Sequence, residues 1–186
     1  METEEFDLED RMTAYHEAGH AVMSYLCKNS VNYVWAKPGI YQGLEFGGIT
    51  ISSKPRMLSD IVDGPEQQAR ICCASRITEQ MFFPNDWKEK KWHSSEDRES
   101  LKECLGTMGY GPEQIQNVAI STKKILSRKE TKKLIRKFAW VLLHHNKHLD
   151  YIEVGIIFGY IKRKWRMKRK LTQTVYKIKR WLKSRK

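Results

Sequence analysis

The spacing of hydrophobic residues predicts that most of the chain is helical. Over residues 8–28, apolar side chains recur at steps of three and four, at Met12, Tyr15, Ala18, Val22 and Leu26, which is typical of an amphipathic helix. Similar patterns predict helices over residues 66–83, from Ser94 or Ser95 to Gly106 or Gly109, over residues 112–126 and 129–145, and from about residue 150. These segments leave residues 31–53 as the main region without helical periodicity.

Residues 31–53 have the composition of β-strands. They are rich in Val, Ile, Tyr and Gly, and they are interrupted at Pro38-Gly39 and at Gly47-Gly48. We therefore expect two or three strands joined by turns. Together with the helices, this region predicts an α+β fold, helix-rich, with a small sheet beside the first helix.

The positive charge of the chain is concentrated at its C-terminal end. Thirteen of the 34 Lys and Arg residues lie in residues 162–186, which contain no Asp or Glu, whereas the preceding residues are nearly neutral. Within this segment an apolar stripe, flanked by tryptophans, is formed by Leu171, Val175, Ile178 and Leu182. We therefore divide the chain into a domain of residues 1–161 and a basic amphipathic tail of residues 162–186. The tail could bind an anionic membrane surface, a groove of a partner protein or nucleic acid, or it could be a solvated extension.

The remaining composition favours a cytoplasmic protein, peripheral at a membrane if it is attached to one at all. The acidic N-terminus lacks the basic cluster and apolar stretch of a signal peptide. The longest apolar window, residues 152–161, is about half the length of a membrane-spanning helix. Cys27, Cys72, Cys73 and Cys104 have neither CxxC spacing nor the density of a disulfide scaffold, so we expect reduced thiols.

The first predicted helix contains the HExxH pattern, as His16-Glu17-Ala18-Gly19-His20. Two histidines one helical turn apart can both reach a single zinc ion, and the glutamate between them can serve as a general base for peptide hydrolysis. So short a pattern also occurs by chance, in which case the histidines would be ordinary surface or core residues. An interior glycine costs a helix about 1 kcal/mol relative to alanine, so Gly19 suggests close packing against a neighbour.

The residues around this pattern resemble the FtsH family of zinc metallopeptidases. The segment from Arg11 to Val22 reads RMTAYHEAGHAV, which is similar to the family's catalytic helix. Weaker similarities follow in the strand segment Gly47-Gly48-Ile49-Thr50, in residues 74–83, in Ser94-Ser95-Glu96-Asp97 and in residues 124–154. The resemblance covers residues 10–160 and implies a zincin-like domain that binds zinc through His16 and His20, with Glu17 as the catalytic base.

The resemblance also implies a third zinc ligand, Asp97. This residue matches the aspartate of the family's Ser-Asn-Asp stretch, and a carboxylate would complete a three-ligand catalytic site. A capping role is the alternative, because Ser94 and Asp97 have the spacing of a capping box at a helix start. If Asp97 is not the ligand, the remaining candidates are Glu79, Asp86, His93 and Glu96. The chain departs from the family over residues 75–80, which read SRITEQ where the family commonly has GRAAEE.

The implied activity is a zinc metalloendopeptidase that cleaves unfolded or flexible protein segments. The chain has no phosphate-binding loop of the GxxxxGK[ST] type, so we expect it to act without ATP or with a separate ATPase partner, and it could form homo-oligomers. The edge of the strand at Gly47, Gly48, Ile49 and Thr50 is our candidate for binding an extended substrate peptide. The alternative function is a catalytically silent scaffold that binds an anionic membrane or nucleic acid through its tail.

Overall fold

The computed structural model describes residues 6–41, 44–53, 64–86, 95–107 and 109–159. Its helices are α1 Leu8–Leu26, α2 Gly64–Phe82, α3 Ser95–Thr107, α4 Pro112–Leu126, α5 Lys129–His144 and α6 Tyr151–Phe158. Its strands are β1 Ser30–Trp35, β2 Gly39–Tyr41, β3 Leu44–Phe46, β4 Ile49–Ser53 and β5 His148–Asp150. The predicted helix-rich α+β architecture is confirmed.

Helix α1 lies at the centre of the molecule. It begins where the Asp7 side chain accepts a hydrogen bond from the Asp10 backbone N–H (2.7 Å), an N-cap that satisfies a free donor of the first turn. It packs against α2 on one side and α5 on another, and it also contacts β1 and β4. Its residues 16–24 are all buried, so a polar group in this stretch is enclosed by protein.

Helices α1 and α2 approach each other closely at Gly19. A Cβ atom at this position would lie 2.6 Å from Thr78 Oγ1 and 2.9 Å from the Ala74 carbonyl oxygen. Because one of these atoms belongs to the backbone, a larger residue would force the helices apart. The packing role expected for Gly19 is therefore confirmed.

The main sheet has three antiparallel strands in the order β4-β1-β5. In the central strand, Val34 is paired with Thr50 of β4 and with Leu149 of β5, and it is fully buried. Strands β2 and β3 form a separate antiparallel pair. The structure thus divides the predicted strand region into four strands rather than two or three, and it adds β5, which the sequence pattern did not indicate. The sheet lies beside α1, as expected.

The predicted tail, residues 162–186, and the proposed boundary at residue 161 lie outside the described residues. Among the residues that are described, no helix has both the length and the apolar character needed to cross a membrane.

Candidate metal centre

Helix α1 presents His16 and His20 on one face, a single turn apart. Their ring centroids are 4.9 Å apart, and their exposed fractions are only 7% and 9%. Buried imidazoles need hydrogen-bond partners or a ligand for their nitrogens. The partners of each ring therefore indicate what the two side chains are arranged to do.

The Nδ1 atom of each ring lies within hydrogen-bond distance of an acceptor on α2. His16 Nδ1 lies 2.9 Å from Glu79 Oε1, and His20 Nδ1 lies 2.9 Å from the Ile71 carbonyl oxygen. Because a carbonyl oxygen can only accept, His20 Nδ1 carries a proton. In the neutral ring this leaves the lone pair on Nε2, which is the arrangement that outer partners of metal-binding histidines typically enforce.

The Nε2 atoms of both rings meet the carboxylate of Asp97, which extends from α3. Asp97 Oδ2 lies 3.3 Å from His16 Nε2 and 3.2 Å from His20 Nε2. Ser75 of α2 donates its hydroxyl hydrogen to the same oxygen at 2.7 Å. The side chain of Asp97 thus faces the histidines, as the ligand interpretation requires, and about a quarter of it is exposed.

These three residues could hold a metal ion. One donor atom from each of His16, His20 and Asp97 lies within 4.8 Å of the others. The set consists of two neutral-capable imidazoles and one carboxylate, which is a common donor set for a transition metal with an open coordination position. Glu17 lies next to this group but is not one of its donors.

The electrostatics of the protein alone match this arrangement. Burial opposes protonation of His16, but its hydrogen bonds to Asp97 and Glu79, together with the charges of Glu17 and Asp97, outweigh burial and raise its pKa well above the ordinary value. Burial likewise opposes protonation of His20, whose pKa is nevertheless raised by the charge of Asp97. Partial burial of Asp97 favours its neutral form, yet the two histidines keep its pKa below the usual range. Asp97 therefore carries a negative charge that protonated histidines, or a bound cation, can compensate.

Glu17, the predicted catalytic base, is buried more deeply than either histidine, with 2% of its surface exposed. Burial raises the pKa of its carboxyl, while the charges of His16 and His20 act against this rise. Thr50 of β4 donates a hydrogen bond to Glu17 Oε2 at 2.7 Å. A carboxylate with a raised pKa beside a metal site can accept and release a proton.

Two of the four residues predicted to bind substrate face Glu17, and the other two are described by their position in or before β4. Gly48 and Thr50 both face Glu17. Ile49 is the first residue of β4 and is paired with Trp35. Gly47 lies in the bend before this strand. Sequence reasoning did not anticipate contacts between this strand and the glutamate. The only signal that could have suggested them was the spacing of two residues between Gly48 and Thr50, which places both on one face of a strand.

The remaining candidates are not among the three donors. Glu79 accepts from His16 instead of joining the ligand atoms. Asp86 lies in the turn that follows α2. His93 lies outside the described residues, as does Ser94, so the alternative capping box is not described. The side chain of Glu96 is also not described. Ser75, in contrast, was not a candidate from the sequence.

No protein-family model matches this chain, and no curated protein is significantly similar to it.

Proposed function

We propose that the protein is a zinc metallopeptidase with a zincin-like domain, related to the FtsH family. The observation that carries this proposal is the convergence of His16 Nε2, His20 Nε2 and Asp97 Oδ2, with the buried carboxylate of Glu17 beside them. The sequence around α1 supports the relationship, since its RMTAYHEAGHAV segment resembles the family's catalytic helix.

We propose zinc as the metal that these donors bind. Two ligand atoms that lie about 2.0–2.1 Å from a zinc ion at tetrahedral angles are about 3.3 Å apart. The separations between Asp97 Oδ2 and the two Nε2 atoms are 3.3 Å and 3.2 Å. Two histidines and one carboxylate also leave a fourth position free, as in catalytic zinc sites.

In the proposed reaction a water molecule attacks the carbonyl carbon of a peptide bond. Zinc, when bound, polarises this carbonyl and makes the water more acidic. Glu17 accepts a proton from the attacking water and later delivers it to the leaving amine, so the carboxylate is regenerated at the end of the cycle. His16 and His20 keep their orientation through Glu79 and the Ile71 carbonyl.

We further propose that the substrate binds in an extended form along β4. This strand is at the edge of the three-stranded sheet, and within the described residues only β1 is paired with it. A peptide could add to the free edge through backbone hydrogen bonds, next to Glu17. Since such binding needs an extended segment, we expect flexible or unfolded proteins as substrates. Amide exchange in β4 should slow when a peptide inhibitor binds, and unchanged exchange would exclude this binding mode.

The proposal is tested by comparing the wild-type protein with Glu17→Gln on a fluorescein-labelled unfolded protein. Gln has nearly the same shape as Glu but cannot accept the proton, so we expect cleavage to fall by roughly 10²-fold or more. Both proteins should bind about one zinc ion per chain. A chelator should stop cleavage by the wild type, and added zinc should restore it.

The same experiment distinguishes the enzyme from a silent scaffold that acts through its basic tail. The intact Glu17 supports the enzyme. Equal rates for the wild type and Glu17→Gln would refute the peptidase proposal. Truncation of residues 162–186, followed by measurement of binding to anionic vesicles and to DNA, would then assign a role to the tail.

A further inference from the structure

Thr50 of β4 and Gly48, which directly precedes this strand, both face the Glu17 carboxylate. Thr50 Oγ1 donates to Glu17 Oε2 at 2.7 Å, and it also lies 3.2 Å from the Glu17 backbone carbonyl oxygen. A hydroxyl has one hydrogen to donate, and the shorter contact is with the charged acceptor, which makes the stronger bond. Thr50 thus fixes one oxygen of the glutamate from a strand 33 residues away along the chain.

Gly48 accommodates the other oxygen. A Cβ atom at this position would lie 2.6 Å from Glu17 Oε1, 3.0 Å from its Cγ and 3.1 Å from its Cδ. Real Cβ atoms essentially never approach another atom at 2.6 Å. The carboxylate therefore lies against the backbone of Gly48 in space that a side chain would otherwise occupy.

The sheet fixes the position of Thr50, and Gly48 directly precedes its strand. Gly48 and Thr50 are two residues apart, so in extended backbone they are on the same face. Thr50 is in register with Val34 of the central strand, and Val34 is fully buried. The position of the Thr50 hydroxyl is therefore set by the core of the sheet rather than by a loop.

We propose that Thr50 and Gly48 are positioning residues for Glu17: the hydroxyl holds Oε2, and the missing side chain of the glycine leaves room for the carboxylate beside the metal site. This inference rests on the proposed peptidase function. A general base must be within hydrogen-bond reach of the proton that it removes, so a carboxylate that is free to rotate spends less time in the productive orientation. The strand proposed to bind substrate on its edge thus also orients the base through its inward face.

The experiment compares Thr50→Val, which removes the hydroxyl at nearly constant shape, with Thr50→Ser, which keeps it. We expect Thr50→Val to lower kcat about 10-fold or more, within the roughly 10²–10⁴-fold contribution of a general base. KM and zinc content should stay within about twofold of the wild type, since an interaction used only in the chemical step affects kcat. Thr50→Ser should recover most of the lost rate. Gly48→Ala should also lower kcat, because its new Cβ displaces the carboxylate.

The matched control is Thr122→Val in α4. Thr122 is fully buried and its hydroxyl has no hydrogen-bond partner in the described part of the chain, so the same substitution there should leave kcat unchanged. A second control places Thr50→Val in the Glu17→Gln background, where it should have no further effect on the residual rate.

The outcomes separate the two proposals. If Thr50→Val keeps the full kcat in an enzyme that Glu17→Gln inactivates, the positioning role is wrong and the peptidase proposal stands. A rate loss that Thr50→Ser does not recover, or that comes with loss of zinc, also overturns the positioning role. A wild-type protein without Glu17-dependent cleavage overturns both.

Discussion

At the scale of single residues, the metal centre depends on partners that do not themselves belong to the donor set. Asp97 reaches the histidines from α3, and its Oδ2 atom is held by the Ser75 hydroxyl. Ser75 is fully buried, so solvent has little access to the donor of this bond. Such outer partners orient the ligands before the ion arrives, and their loss typically weakens metal binding.

Replacing Ser75 by alanine should therefore weaken zinc binding about 10–100-fold. Without the hydroxyl, the carboxylate of Asp97 can rotate away from the two Nε2 atoms. Competition with a chromophoric chelator measures the affinity directly and does not depend on catalysis. Ser121→Ala in α4 is the matched control, since its hydroxyl bonds only the Val118 carbonyl oxygen among the contacts described for it. An affinity equal to that of the wild type would show that Ser75 does not position the ligand.

The stabilisation caused by zinc should increase from about pH 6 to about pH 8. In the metal-free protein the pKa values of His16 and His20 are raised, so their protonated forms stabilise the fold below the unfolded pKa of about 6.5. This contribution is lost as the pH rises through the higher folded values. Zinc needs both rings neutral, so its binding has the opposite dependence on pH. The difference in Tm with and without zinc, measured across this range, tests the prediction.

The His20→Ala variant serves as the control for this measurement. It removes one ligand and should abolish most of the zinc-induced rise in Tm at every pH. Asp97 keeps its charge throughout this range because its pKa is lowered, so it should not contribute to the slope. A zinc effect that is equal at both ends of the range would contradict histidine ligation.

At the scale of the elements, the contact between α1 and α2 sets the distance between the two histidines and the α2 groups that accept hydrogen bonds from them. Gly19 allows the two helices to approach, as the short distances from its virtual Cβ to Thr78 and Ala74 indicate. The acceptors for both histidines, Glu79 and Ile71, are on α2. A change in the spacing of these helices therefore reaches the metal centre.

Gly19→Ala should destabilise the fold by about 1–3 kcal/mol through overpacking. The better helix propensity of alanine offsets up to about 1 kcal/mol of this loss. Gly106→Ala in α3 is a matched control, because a Cβ there would meet no atom of the described residues within 4 Å, and it should be neutral or slightly stabilising. Urea denaturation of the metal-free proteins measures both effects. Equal stabilities for the two variants would contradict the close approach at Gly19.

The helices could be predicted from the sequence because their signals are local. Pro112–Leu126 was predicted with the bounds that the structure has, and α1 and α5 were predicted within two residues. Strand β5 could not be predicted, because three residues carry no periodicity and form a strand only through pairing with distant β1. Ser75 was missed for a similar reason: a serine in a helix gives no indication of which carboxylate another helix will place beside it.

At the scale of the whole molecule, the metal centre joins elements that are far apart in the sequence. Helix α1 is enclosed by α2, α5 and the sheet, whereas α3 packs chiefly against α2. Asp97 brings α3 to α1 through its contacts with the two histidines. An ion bound there would act as a cross-link between the centre of the fold and a peripheral helix, so its binding free energy also stabilises the docking of α3.

Removal of the metal should therefore loosen α3 more than the other helices. Hydrogen exchange followed by mass spectrometry, with zinc and with a chelator, is the appropriate measurement. We expect amide exchange in residues 95–107 to accelerate on chelation, while exchange in α5 stays the same. An Asp97→Asn variant, which weakens ligation, should resemble the chelated wild type even when zinc is present. Uniform changes along the chain would contradict the cross-link.

The placement of Asp97 on this peripheral helix has a consequence for a mixed population of copies. A molecule that has lost its ion would offer a loosened segment, which is the kind of segment that the proposed peptidase cleaves. Molecules that still hold zinc would then cleave metal-free molecules of the same protein, so intermolecular proteolysis would remove the inactive ones. Mixing zinc-loaded protein with a labelled copy that carries both Glu17→Gln and Asp97→Asn, and is therefore inactive and weakened in zinc binding, should yield fragments cut near α3.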